Sequence, residues 1–291
     1  MGAADVVPGV SGGTMAFILG IYREFIDAIK SFDMAWISAC LRFDADTALR
    51  RPHFAFVIPL LAGIVAALLF FTRVVELPAL LSSHPEHVYA LFFGLISASI
   101  AVLMAQLGRL RVSDGVSLIA GLVFGFAVVT AVPTETPHTW WFITMCGAIS
   151  ICAMVVPGIS GSFVLLLLGQ YAYILDALGH FEWRVIVPFA CGAAIGLMSF
   201  TRLLSWALRR YERTMVLAIN GVLIASLWVV WPFQHREFVL VRGKQRLIET
   251  TPELPSVSGT LLEPALLALA GFFAVLVLEK LAARSHERHR Q

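Results

Sequence analysis

The chain has 291 residues, of which 14% are Asp, Glu, Lys or Arg and 59% are apolar; its net charge is +2 and its mean hydropathy +0.84. An average soluble domain carries about 25% charged residues because its surface must be covered by them. A water-soluble fold, a disordered chain and a collagen-like repeat are therefore excluded. No basic run is dense enough to suggest nucleic acid.

Eight stretches contain no Asp, Glu, Lys or Arg: 6–22, 54–72, 88–108, 115–134, 136–175, 185–201, 214–235 and 264–278. A helix needs about 20 residues to cross a hydrocarbon core, so the chain reads as a polytopic helical membrane protein. In chain order, the first run is interrupted by Pro8-Gly9 and has no basic residue before it, which argues against a cleavable signal. Residues 31–53 mix Phe32, Trp36 and Leu41 with Asp33, Arg42 and Asp44, and predict an interfacial amphipathic helix. Spans are predicted at 54–75, 88–108 and 115–132. A second interrupted run follows, with a lead helix over 140–156, a break at Pro157-Gly158 and a short continuation. Further spans are predicted at 185–208, 213–232 and 261–283, and 237–248 predicts a β-hairpin around Arg242-Gly243-Lys244. The tail 284–291, rich in His and Arg, reads as a solvated cytoplasmic segment. Cys40, Cys146, Cys152 and Cys191 have no C-x-x-C spacing and read as small apolar fillers. No metal or cofactor is expected.

The chain repeats itself. Residues 5–28 align without gaps on 154–177, with eleven of 24 positions identical, including Pro8/Pro157, Gly9/Gly158, Ser11/Ser160, Gly12/Gly161, Gly20/Gly169, Tyr22/Tyr171 and Asp27/Asp176. The triplets ending at Arg73 and Arg202 match as well, and Gly94 pairs with Gly221. The halves are 1–132 and 133–283. A Pro-Gly pair stops a helix, and each remaining arm is too short to cross, so each motif segment is read as a re-entrant hairpin of two half-helices. Three crossings per half then invert the second half relative to the first. Fourteen Lys and Arg fall on the cytoplasmic side and six outside, four of them in the long 234–260 loop, as the positive-inside rule asks. The expected fold is thus all-α, an inverted-topology repeat whose halves each hold a re-entrant hairpin and three transmembrane helices. Symmetry also predicts that part of the first hairpin lies upstream of Met1, because only seven residues precede Pro8.

Opposed half-helix starts rich in Ser and Gly suit an anion: the N–H groups are free, the dipole end is positive, and Gly lets a ligand approach the backbone. The expected contacts are Ser11, Gly12, Gly13 and Thr14 from one motif and Ser160, Gly161 and Ser162 from the other. Arg73 and Arg202 are expected at the two mouths, as phosphate or carboxylate ligands. Glu24, Asp27 and Asp176 follow the half-helices and are candidates for proton coupling.

The stretches 2–22 and 154–171 resemble the bacterial polyprenyl-phosphate transporters, formerly domain of unknown function 368, over nearly the whole chain. That resemblance implies a flippase returning undecaprenyl phosphate from the outer to the inner leaflet of the plasma membrane for envelope polymer synthesis. It implies no partner beyond the lipid and the bilayer, and says nothing of oligomeric state. A small-anion transporter or channel is the alternative. A membrane phosphatase is disfavoured, because Gly12-Gly13 and Gly161-Ser162 replace the Arg-Ser such enzymes carry.

Overall fold

The computed structural model describes residues 1–5, 11–109, 111–134, 136–241, 244–253 and 261–288. Pro8 and Gly9 of the first motif, and the turn at 242–243, lie outside them. In the first half, α1 (Gly2–Asp5), α2 (Gly12–Ile18) and α3 (Tyr22–Lys30) precede α4 (Met34–Leu41), α5 (Ala45–Arg50) and α6 (Phe54–Arg73). Next come α7 (Leu77–Ser83), α8 (Pro85–Gln106) and α9 (Val112–Val129). The second half holds α10 (Trp140–Val155), α11 (Gly161–Leu167), α12 (Tyr171–Gly179), α13 (Trp183–Arg210) and α14 (Glu212–Val229). A hairpin of β1 (Gln234–Val241) and β2 (Lys244–Pro252) leads into α15 (Leu262–Arg288).

Among the described residues, six helices are long and apolar enough to span a bilayer: α6, α8, α9, α13, α14 and the first 20 residues of α15. The sequence repeat is carried into local structure. Shifted by 149 residues, α2 and α3 have the same bounds as α11 and α12. The corner between each pair turns on a left-handed glycine, Gly20 (φ 72°) or Gly169 (φ 65°), a conformation cheap only without a Cβ. At the second corner the chain bends by 112°.

Helix pairing exchanges partners between the halves. α8 runs along α15, while its counterpart α14 runs along α9, and α10 runs along α13. Small residues let these backbones meet, as they must where lipid is as apolar as the interface. A Cβ on Gly94 would enter the backbone of Ala268, and one on its counterpart Gly221 would enter that of Leu118. Gly147 and Gly192 do the same for α10 and α13. The largest core cluster takes Phe17, Tyr22 and Ile26 from α2 and α3, Phe92 and Ile96 from α8, and Leu204, Leu208 and Leu223 from α13 and α14. One end is clamped by Arg213, whose Nη2 donates to Asp114 at 2.6 Å and to the Arg109 carbonyl at 2.8 Å, and whose Nη1 donates to the Leu107 carbonyl at 2.8 Å.

The segment 31–53 departs from the single amphipathic helix expected. It forms two short helices, because Asp33 and Asp44 each cap a new start by accepting from Trp36 N–H (2.9 Å) and Thr47 N–H (3.2 Å). Arg51 ties the pair together with two bonds to Asp33, at 3.0 and 2.7 Å. Met34, Leu41, Phe43 and Leu49 stay exposed.

Candidate functional site

The two motif segments meet, and they do so through their polar groups. Ser11 is the N-cap of α2: its Oγ accepts from Gly13 N–H at 3.1 Å and donates to the Met154 carbonyl at 3.0 Å. Tyr22 donates to the neighbouring Val155 carbonyl at 3.0 Å. The positive end of α2 thus rests on the negative end of α10, a favourable head-to-tail arrangement of dipoles. Thr14 completes the junction by accepting from the N–H of Gly158 at 2.8 Å. Gly158 itself is left-handed, at φ 91°.

The two half-helix starts differ in one respect that their similar sequences hide. At α2, Gly12 N–H donates to Asp5 Oδ1 at 2.8 Å, so a carboxylate of the chain already sits where an anion would. Ser11, Gly12, Gly13 and Thr14 are all buried. At α11, Ser160 makes no capping bond; its hydroxyl lies 2.9 Å from that of Ser162. Among the described residues, the first-turn N–H groups of Gly161, Ser162 and Phe163 have no protein acceptor. Ser162 is exposed, Ser160 half-buried and Gly161 buried, its back against Ser150 of α10.

Beside this second start lies an apolar cavity of about 550 Å³. Ile159 and Val164, which bracket Ser160–Ser162 in the chain, line it together with Val128 of α9, Val132 just beyond it, Ile149 of α10 and Phe200 of α13.

The remaining expected site residues lie apart. Arg73 ends α6 and is exposed; Arg202 is exposed in α13 and donates to the Met198 carbonyl of its own helix at 3.1 Å. Neither has a carboxylate partner among the described residues. Asp27 accepts from Ser205 at 3.0 Å and pairs with Arg209 at 3.3 Å, so it joins α3 to α13. Its counterpart Asp176 is exposed and, among the described residues, pairs with His180, one turn on, at 3.5 Å. Glu24 is exposed.

Two polar positions near the site were not singled out from sequence. Asp5 is one; a carboxylate seven residues before a Gly start gives no local capping signature. Gln170 is the other: fully buried, its amide donates to Thr136 Oγ1 at 2.7 Å while its Oε1 lies 3.0 Å from His138 Nδ1. A lone amide inside a charge-free run was its only signal.

Six helices among the described residues long and apolar enough to span a bilayer define a multi-pass helical membrane protein. The family model described as VCA0040-like, undecaprenyl phosphate translocase-like, matches residues 1–246. A polyprenyl-phosphate transporter of Vibrio cholerae serotype O1 is 37% identical over 235 residues, which cover 81% of this chain and 76% of that protein. A polyprenyl-phosphate transporter of Staphylococcus aureus is 28% identical over 253 residues, covering 80% and 83% respectively. No solved structure matches the chain. The chain belongs to the undecaprenyl phosphate translocase-like family.

Proposed function

We propose that the protein transports a polyprenyl phosphate, undecaprenyl phosphate in the resemblance above, from the outer to the inner leaflet of a bacterial plasma membrane. The observation that carries this reading is the juxtaposition of unpaired N–H groups and serine hydroxyls at the start of α11 with the apolar cavity beside it. Taking an unpaired phosphate into hydrocarbon costs from several up to tens of kcal/mol. Ser160, Gly161 and Ser162 offer it replacement donors, while a prenyl chain lies in the cavity. The apolar lining favours a lipid over a small anion, which would have no use for it. Ser11–Thr14 form the opposite wall, where Asp5 stands in for the headgroup until the lipid displaces it from Gly12 N–H. Arg73 and Arg202 receive the phosphate at the two faces, and Glu24, Asp27 and Asp176 are the carboxylates available for proton coupling.

In the same proposal, each motif segment is a re-entrant hairpin and the two halves are inverted, with the tail cytoplasmic. Bonds from Thr134 N–H to the Leu167 carbonyl (3.0 Å) and between Gln170 and Thr136 support the return of the second hairpin to its starting level. Cysteines introduced at positions 136 and 286 should label from opposite sides; same-side labelling refutes the inversion. Transport itself is tested in liposomes holding the purified protein and a labelled polyprenyl phosphate, with and without a pH gradient. Protein-dependent movement of the lipid is expected. Flux of inorganic phosphate at the same rate, with no lipid movement, overturns the proposal.

A further inference from the structure

At the end of the bundle where α6 stops, the chain makes a tight corner. His84 both closes α7 and opens α8, and Pro85 sets the first turn of α8. This corner folds His84, Glu86 and His87 onto one another, with one ligand atom from each lying within 4.8 Å of the other two. Glu86 Oε1 is 3.5 Å from His84 Nδ1 and 3.6 Å from His87 Nδ1. Bonds of about 2.0–2.2 Å to a tetrahedral metal separate neighbouring donors by roughly 3.3–3.5 Å, so the two Glu86 contacts need to close by only a few tenths of an ångström, while the two histidines, with ligand atoms within 4.8 Å of each other, close onto the same spacing as the metal binds.

A second observation comes from another helix. Glu263, in the first turn of α15, lies with Oε2 3.0 Å from Nε2 of His87. That contact orients the ring with Nε2 on Glu263 and Nδ1 facing Glu86. A histidine that ligates a metal almost always donates its other N–H to such a carboxylate. Sequence alone predicted no metal, on the spacing of its four cysteines, and Glu263 is 176 residues from His87.

We propose that His84 Nδ1, Glu86 Oε1 and His87 Nδ1 bind a divalent first-row transition metal, Zn²⁺ being the best fit, with Glu263 as the positioning carboxylate. Two imidazoles and one carboxylate suit zinc better than calcium or magnesium, which prefer all-oxygen sets. Three protein ligands leave a fourth position for water. The metal pins the α7–α8 corner and, through Glu263, the adjacent end of α15, at the same end of the bundle as Arg73. This inference does not rest on the proposed transport.

The test titrates Zn²⁺, and Co²⁺ as a coloured substitute, into the full chain carrying an affinity tag without histidines. About one metal per chain should bind at this site, with the visible bands of tetrahedral Co²⁺. His84→Ala and His87→Ala should abolish those bands. Glu263→Gln should keep them but weaken binding about 10–100-fold, as loss of an outer carboxylate does. Gel filtration of each variant separates loss of ligand from loss of fold, and Glu86→Gln, a near-isosteric change, should also abolish the bands. The proposal is overturned if no tetrahedral Co²⁺ complex forms, or if binding survives unchanged in His84→Ala and His87→Ala.

Discussion

Gly161→Ala adds a single methyl group at the second half-helix start. An ideal Cβ there lies 2.6 Å from the Ser150 carbonyl and 3.2 Å from Met154 Cβ, whereas ordinary contact begins near 3.4 Å. Both neighbours belong to the fixed part of α10, so neither can rotate aside, and α11 must retreat by about 0.8 Å. Overpacking of this kind costs about 1–3 kcal/mol. The same retreat carries the N–H groups of Gly161 and Ser162 off a bound phosphate. Losing one hydrogen bond to a charged group, about 1.5–3 kcal/mol, lowers affinity roughly 10–150-fold. The matched controls are Gly63→Ala and Gly115→Ala, where the added Cβ meets nothing within 4 Å. Both lie inside helices, where Gly to Ala is neutral to stabilising by up to about 1 kcal/mol. Thermal midpoints in detergent and initial transport rates in liposomes should both fall for Gly161→Ala and for neither control. If Gly161→Ala melts and transports like Gly63→Ala, the close approach of α11 to α10 has no bearing on the site.

Thr14→Val keeps the shape but removes the acceptor for Gly158 N–H, leaving a buried donor unpaired at a cost of about 1–3 kcal/mol; Thr14→Ser should restore most of it, and a Ser variant as unstable as Val refutes the bond's role. Arg73→Lys keeps the charge but loses the two-pronged fork, so an intermediate transport defect is expected if Arg73 meets phosphate; wild-type rates would mark it as a residue that merely reaches the interface. Outside the spans, bonding from Arg51 holds the Asp33 carboxyl at about 2, below its ordinary 3.8. Its contribution to folding is therefore complete above about pH 4 and lost as pH falls towards 2. Carboxyl NMR should show Asp33 titrating there, and Arg51→Ala should return it to the ordinary range; an unmoved titration refutes the cause.

Much of this protein is written locally. The charge-free runs mark the spans because no charged side chain is cheap in hydrocarbon. The repeat gives equal bounds to α2 and α11, since each begins at a Gly after an extended Ser and is ended by a left-handed glycine, Gly20 or Gly169, although only Ser11 makes the capping bond. The β-hairpin over 234–252 likewise follows from two short β-rich arms on either side of Gly243. Which face of a span meets protein is not written in the same way. α6 is the most apolar of the six candidate spans, yet none of it is buried, while the less apolar α8 is 44% buried. Lipid and protein interior are equally apolar, so hydropathy cannot tell them apart, and only small residues such as Gly94 and Gly221 hint at a partner. Tertiary structure alone joined Thr14 to Gly158 and brought Glu263 to His87, because each contact depends on where helices distant in sequence cross, and it set the Asp5 carboxylate on Gly12 N–H, a contact across seven residues that no local capping pattern specifies. It also separated two similar motifs, filling the donor at Gly12 and leaving those at Gly161 open, since what a helix start can bind depends on what the fold has already placed against it.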